Sequence, residues 1–223
     1  MSVTQQLARV RAELPERVTL VAVSKTHPAE LIREAYDAGQ RIFGESRPQE
    51  LREKYELLPK DIEWHMIGHL QTNKIKKVLG KASLIQSVDS PRLLAALEKE
   101  ASRMEIVQDI LLEVNIGGEA SKTGVSPEEL WALLDTAAAQ PHLRVKGLMA
   151  IPPVNDDDRE NRALLGQVYK LFVQAGERGY ENVRMETLSM GMSGDFENAI
   201  REGATLVRIG TAIYGARDYG PKA

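Results

Sequence analysis

The sequence of 223 residues contains no cysteine. Disulfide bonds, thiolate metal sites and a thiol nucleophile are therefore excluded, and the sequence predicts no metal site. An excess of basic charge is also missing, because 29 Lys and Arg residues are offset by 32 Asp and Glu residues, a formal net charge of −3. We therefore expect neither a nucleic acid nor an anionic membrane as a partner.

Long apolar runs are absent as well. No segment reaches the roughly 20 apolar residues of a membrane span. Residues 1–14 mix charged and apolar side chains where a secretory signal would have an apolar core. We therefore expect a soluble, cytoplasmic protein.

What the sequence does contain is a regular alternation of short apolar segments and helical segments, with no linker between them. The eight predicted strands span residues 18–25, 41–46, 63–68, 83–89, 109–116, 145–151, 184–190 and 206–214. The predicted helices span residues 4–14, capped by Thr4, then 29–38, 48–58, 74–79, capped by Asn73, 92–104, capped by Ser90, 126–139, capped by Ser126, a long helix ending near 178, and 196–202.

This alternation predicts the fold class. Because each strand but the last is followed by a helix, the strands are expected to be parallel. Eight such units close a barrel whose C-terminal loops form the site. We predict that residues 1–223 form one domain, a (β/α)8 TIM barrel with an extra N-terminal helix. An open, doubly wound sheet is the weaker alternative, since no early strand leads into a Gly-x-Gly-x-x-Gly turn.

Lys25 follows the first buried strand, at the point where a βα loop begins. An ammonium group held against low-dielectric surroundings is disfavoured, and the neutral amine is the species that forms Schiff bases. The simpler interpretation is a lysine that extends to solvent at a strand end. The position of Lys25 alone does not choose between the two.

Glycine-rich segments lie at the same predicted rim, in residues 188–194 and 208–212. Loops after strands seven and eight are where barrels commonly bind phosphate. Glycine lets the backbone approach the oxygens, and a helix start near Phe196 adds a favourable dipole. The residues predicted to face this pocket are Lys25, Ser46, His65, Asn115, Ser189, Arg208, Gly210 and Thr211.

A Schiff-base lysine and a phosphate site in one pocket suit either a phosphosugar aldolase or a protein that carries pyridoxal 5'-phosphate (PLP). Arg208 bears on this choice. A guanidinium facing the PLP ring nitrogen cannot give up its proton, so it would keep that nitrogen unprotonated and weaken the electron sink. A structural ion pair beneath the rim is the alternative role for Arg208, and at this point both roles stay open.

Several segments carry a resemblance to a known family, namely residues 23–26, 43–45, 64–74, 114–115, 121–122, 147–152, 188–193 and 207–217. Together they closely resemble the pyridoxal phosphate homeostasis protein family, single-domain relatives of the alanine racemase barrel that carry PLP. The resemblance covers nearly the whole chain and is most specific in the last two segments. It implies that PLP is the cofactor of this chain.

The resemblance also implies individual roles. It assigns the Schiff base to Lys25 and the ring nitrogen contact to Arg208. The phosphate would be bound by Ser189, Gly210 and Thr211.

Two positions depart from the family pattern. Ser46 stands where the family usually has Asn, so a carboxamide contact is lost or shortened. His27 stands where many members have a second lysine, which argues against a hand-over of PLP between two lysines there. Lys122 matches another family lysine, although a solvated loop lysine is an equally good interpretation.

Other candidates have simpler interpretations. For His65 we favour a hydrogen-bonded core histidine over a direct role. Asn115 is expected to order the pocket, and Trp64 and Trp131 are expected to pack in the core or at the rim.

Three functions are compared. A carrier or regulator that holds PLP and delivers it to apo PLP-dependent enzymes is what the resemblance implies. A PLP-dependent amino-acid racemase needs acid/base groups on both faces of the substrate Cα. In alanine racemases the second base is a tyrosine from an added C-terminal domain, which we do not expect after Ala223. A phosphosugar aldolase has support from the fold alone. We therefore predict a non-catalytic carrier, and a monomer.

Overall fold

The computed structural model describes residues 1–119, 122–153, 155 and 157–216. Ser121 and residues 217–223, which belong to the family segments or the predicted domain, lie outside the described residues. Within the described part of the chain, no helix has both the length and the apolar character needed to cross a membrane.

Eight parallel strands pair in chain order, and β8 pairs with β1 to close the barrel. The strands are β1 Thr19–Val23, β2 Ile42–Glu45, β3 Glu63–Met66, β4 Ala82–Val88, β5 Gln108–Val114, β6 Leu143–Ala150, β7 Val183–Ser189 and β8 Leu206–Ile209. The predicted (β/α)8 barrel is therefore confirmed.

Helices surround the barrel. They are α1 Val3–Ala12, α2 Ala29–Asp37, α3 Pro48–Leu57, α4 Pro91–Arg103, α5 Leu130–Ala138, α6 Asp158–Gly176, α7 Phe196–Arg201 and α8 Thr211–Tyr214, and a 3₁₀ helix, Thr72–Lys77, follows β3. The extra N-terminal helix is α1, whose apolar stripe buries Val3, Leu7 and Val10.

The main core lies between the barrel and these helices, with Phe43, Trp64 and Leu94 among its buried members. A separate small cluster of Leu84, Leu111 and Met149 is also fully or almost fully buried. These three residues alternate along β4, β5 and β6 with side chains of the main core, which places them inside the barrel.

Two predicted helix starts are wrong. The cap of α1 is Ser2, whose hydroxyl accepts the Gln5 N–H at 3.2 Å, while the N–H and hydroxyl of Thr4 donate to Glu34. The helix predicted to begin after Asn73 is the 3₁₀ helix, and its cap position is Gln71. Where several residues that favour the N-cap lie close together, the sequence does not show which of them occupies the N-cap position.

Two other boundaries shift. The predicted eighth strand ends at Ile209, because the carbonyl of Gly210 accepts the N–H groups of Ile213 and Tyr214 and starts α8. The last strand therefore also leads into a helix. Ser126 and Glu129 exchange the two predicted capping bonds, yet α5 begins only at Leu130. A continuous apolar run does not distinguish a strand from a buried helical turn.

Candidate functional site

Lys25 lies in a tight turn directly after β1. The His27 N–H donates to the Ser24 carbonyl at 3.1 Å, which closes a four-residue turn with Lys25 and Thr26 in its centre. Thr26 has a φ of +69°, the left-handed region that the third residue of a type II turn requires. Glycine or asparagine normally fills that position, and another residue there costs about 1–3 kcal/mol. The loop that carries Lys25 is therefore strained.

Lys25 lines a cleft of about 270 Å³ at the C-terminal end of the barrel. Of the predicted site residues, Lys25, Ser46, Arg208, Gly210 and Thr211 line it together. They come from the ends of β1, β2 and β8, which are neighbours in the closed barrel. The structure thus brings five of the eight predicted residues into one cleft.

A larger cleft of about 460 Å³ lies around His69 and Asp89, between the loops after β3 and β4. It contains none of the predicted site residues. We favour the smaller cleft as the functional site, because it combines a lysine amine, a guanidinium and a glycine-rich backbone.

Six further residues line the cleft that were not predicted as site residues, among them Ser193 and Gly194. Ser193 and Gly194 belong to the glycine-rich segment 188–194, which was predicted to approach a phosphate, but within it the family resemblance assigned only Ser189 to the site. The side chain of Asp195 accepts the Met192 N–H at 2.7 Å and fixes this loop. A Cβ built on Gly194 would meet no heavy atom within 4 Å, so the backbone there borders open space.

Arg208 is buried, with 3% of its surface exposed. Its guanidinium donates to the Ser189 hydroxyl and, at 3.0 Å, to the Ala150 carbonyl. Burial lowers the pKa of Arg208 to about 10, so it stays protonated at neutral pH. Among the described residues, Glu113 and Asp195 favour the charged form without forming an ion pair with it. No residue that the structure describes forms the structural ion pair considered for Arg208.

Ser189 does not line the cleft. Ser189 is fully buried. Its hydroxyl accepts a hydrogen bond from the Arg208 guanidinium and donates one to the side-chain carbonyl of Gln86 at 2.6 Å. The amide nitrogen of Gln86 lies 2.8 Å from Nδ1 of His65. Burial lowers the pKa of His65 to about 3, so its ring is neutral. These four residues form a hydrogen-bonded interior chain: His65, Gln86, Ser189 and Arg208.

Asn115 also lies away from the cleft. Its side-chain amide donates to the carbonyls of Glu119, at 2.9 Å, and Lys122, at 3.3 Å. Lys122 in turn donates to the Pro152 carbonyl at 3.1 Å and pairs with Glu119. Asn115 therefore orders the loop after β5, and Lys122 ties that loop to the one after β6.

The two tryptophans pack as expected. Trp64 is 1% exposed within the main core and lies against Phe43. Trp131 is half-buried, and the guanidinium of Arg178 lies 4.7 Å from its ring centroid. Neither residue lines the cleft.

Known protein families, proteins and structures resemble this chain over most of its length. The family described as "Alanine racemase, N-terminal domain" matches residues 2–218. The pyridoxal phosphate homeostasis protein of Aquifex aeolicus is 48% identical over 201 residues, which cover 90% of this chain and 87% of the relative. PipY of Synechococcus elongatus, solved with PLP bound, is 37% identical, with a TM-score of 0.87 over 96% of this chain and 100% of its own.

More distant structures share only the fold. The alanine racemase of Corynebacterium glutamicum is 18% identical, with a TM-score of 0.75, and the match covers 99% of this chain and 63% of the racemase. The resemblance found in the sequence is confirmed by the nearer matches. The chain belongs to the pyridoxal phosphate homeostasis protein family.

Proposed function

We propose that this protein holds PLP in the cleft through a Schiff base with Lys25 and serves in cytoplasmic PLP homeostasis as a monomeric carrier or regulator. The observation that carries the proposal is the convergence of Lys25, Arg208 and the backbone around Gly194, Gly210 and Thr211 on one cleft. The solved structure of PipY with PLP bound, a 37% identical relative, supports it.

The residues present fit the cofactor. An aldehyde needs an amine, which Lys25 supplies at the cleft wall. A phosphate needs closely approaching N–H and hydroxyl groups. The segments Ser193–Gly194 and Gly210–Thr211 bring such groups to the cleft from the ends of the neighbouring strands β7 and β8. A Cβ on Gly210 would lie 3.1 Å from the Val23 carbonyl oxygen, so a larger residue would crowd β1 at the cleft.

When bound, PLP supplies an electrophilic aldehyde and, if its ring nitrogen is protonated, an electron sink. Arg208 bears on the second property. It is a donor that keeps its proton at neutral pH, so beside the ring nitrogen it would leave that nitrogen as an acceptor. This favours holding the cofactor over carbanion chemistry.

Racemase activity also needs a second acid/base group near the cofactor, and His65, Tyr214 and Ser46 are the residues we considered for it. His65 is buried and bonded to Gln86. Burial raises the pKa of Tyr214, whose ring stacks on His27. Ser46 lines the cleft, but an unactivated hydroxyl is a poor base at neutral pH. The described residues therefore supply a lysine and no evident partner base, which supports the carrier.

A paired measurement tests this function. PLP-loaded protein is mixed with the apo form of a PLP-dependent enzyme, and recovery of that enzyme's activity is followed beside free PLP and beside a Lys25→Ala variant. We expect activation by the loaded wild-type protein faster than its spontaneous release of PLP allows. In parallel, several L-amino acids are incubated with the loaded protein and analysed on a chiral column. Racemisation at about 1 s⁻¹ or more would overturn the carrier in favour of the racemase.

A further inference from the structure

A largely buried polar cluster lies beside the Lys25 turn, where α3 packs on β2. It consists of Glu45, at the end of β2, and of Glu50 and Lys54, on α3, and is called the clamp below. The residue Glu45 is fully buried and Lys54 is 7% exposed. A lysine on a surface helix normally extends to solvent, so the burial of Lys54 needs a reason.

Every member of the clamp bonds to the turn. The Lys54 ammonium donates to the Ser24 carbonyl at 2.8 Å and to Glu45 at 2.7 Å. The Ser24 hydroxyl donates to the same oxygen of Glu45 at 2.7 Å. The Thr26 N–H donates to Glu50 at 2.8 Å. The clamp therefore holds the backbone on both sides of Lys25.

The bond to Thr26 falls on the strained residue itself. Thr26 is one of two non-glycine residues with positive φ among the described residues, and its N–H is the group that Glu50 accepts. A free chain would leave this conformation, because the side chain of threonine disfavours it. A buried ion pair is by itself a weak stabiliser of a fold. The stability of the fold therefore does not explain why Lys54 is buried, whereas the hydrogen bonds from the clamp to the turn do.

We propose that Glu45, Glu50 and Lys54 are positioning residues that hold the Ser24–His27 turn in its left-handed conformation and so aim the amine of Lys25 into the cleft. This inference rests on the proposed function of Lys25. The three residues act through the backbone of Ser24 and Thr26, and none of them lines the cleft.

The test is a double-mutant cycle between Glu50→Ala and Thr26→Gly. Glycine adopts positive φ without strain, so it should remove the need for the clamp. We expect Glu50→Ala alone to slow the appearance of the visible absorbance of Lys25-bound PLP about tenfold after PLP is added to apo protein. In the Thr26→Gly background the same change should have little effect. Glu53→Ala, an exposed glutamate on the same helix, is the matched control.

The alternative is that the clamp only stabilises the fold. In that case Glu50→Ala lowers the rate by the same factor in both backgrounds, or not at all, and the proposal is wrong. Lys54→Met gives a second, independent cycle with Thr26→Gly, with the same two outcomes.

A second measurement does not need the cofactor. Amide hydrogen exchange of apo protein, followed by NMR, should show the Thr26 N–H protected in the wild type and in Glu53→Ala, and exposed in Glu50→Ala. An unprotected Thr26 N–H in the wild type would overturn the clamp. Absence of any Lys25 adduct with PLP would instead overturn the proposed function, so the two failures are distinguishable.

Discussion

Two buried polar networks approach the same cleft from different sides, and they handle charge differently. The interior chain of His65, Gln86, Ser189 and Arg208 contains one cation, bonded to neutral oxygens. In the clamp, Lys54 pairs with both Glu45 and Glu50, and Glu50 also pairs with Arg47 outside the clamp. The interior chain therefore places at the cleft a positive charge, that of Arg208, that no described residue pairs. The clamp instead forms hydrogen bonds that fix the backbone conformation of the Lys25 turn. One network sets chemistry and the other sets geometry.

The largest expected effect is a difference in how much stability is lost when the cation of each network is removed. Lys54→Met leaves the carboxylate of Glu45 buried without its partner, which should cost roughly 3–5 kcal/mol at pH 8. Arg208→Met leaves the neutral Ala150 carbonyl and Ser189 hydroxyl without a donor, which should cost about 1–3 kcal/mol. Urea denaturation of both variants measures this order. If Arg208→Met lowers the free energy of unfolding more than Lys54→Met does, then the conclusion that only the clamp contains paired charges is wrong.

The next effect concerns pH. Burial raises the pKa of Glu45 to about 7 in the folded state, against the smaller opposing influences of Lys54 and Ser24. At Glu45 the folded state then binds more protons than the unfolded state between about pH 4.5 and 7, so the contribution of Glu45 to stability is lost as pH rises through that window.

His65 has the opposite sign. Its folded pKa, about 3, lies below its ordinary value of 6.5, so its contribution is lost as pH falls below about 6.5. From pH 7 to pH 5 each contribution should change by about 2 kcal/mol, in opposite directions.

Denaturation of the wild type, Glu45→Gln and His65→Gln at several pH values isolates the two contributions as differences from the wild type. Glu45→Gln should make stability rise more steeply with pH, and His65→Gln should make it rise less steeply or fall. Parallel pH profiles for all three proteins would contradict the protonation states assigned to both networks.

The smallest effect tests the role of Ser189. Because its hydroxyl proton is donated to Gln86, we expect Ser189→Ala to change PLP affinity little. Thr211 lines the cleft, so Thr211→Val should weaken PLP binding about tenfold by removing a hydroxyl donor. Titration of PLP into both apo variants checks this. Equal losses of PLP affinity in the two variants would indicate that Ser189 binds the phosphate, as the family resemblance implies.

The barrel could be predicted because eight apolar segments alternate with helical ones, and because the competing doubly wound sheet lacks its glycine-rich turn after an early strand. The end of β8 could not, since Ile209 and Ile213 are equally apolar and only the bonds to Gly210 distinguish a strand from a helical turn. The apolar pattern therefore predicts whether a segment is a strand or a helix, whereas the residue at which the element ends depends on individual hydrogen bonds.

The site was predicted in part for a similar reason. Lys25, Arg208, Gly210 and Thr211 are placed by strand ends, which the pattern locates. The partner of Ser189 is Gln86, 103 residues away, and no local signal connects them. Lys54 has the sequence context of a solvated helix residue and is buried only because β2 places Glu45 beside it. Tertiary pairing of polar groups is what the sequence analysis lacked.

The central claim, that Lys25 holds PLP, is tested most directly by locating the covalent bond. Protein purified without added cofactor, or loaded with PLP, is reduced with borohydride, digested and analysed by mass spectrometry. We predict a yellow protein whose visible absorbance is bleached by the reduction, with the phosphopyridoxyl group on Lys25 and no such bleaching in Lys25→Ala. An adduct found only on other lysines, such as Lys122 or Lys54, would contradict the account.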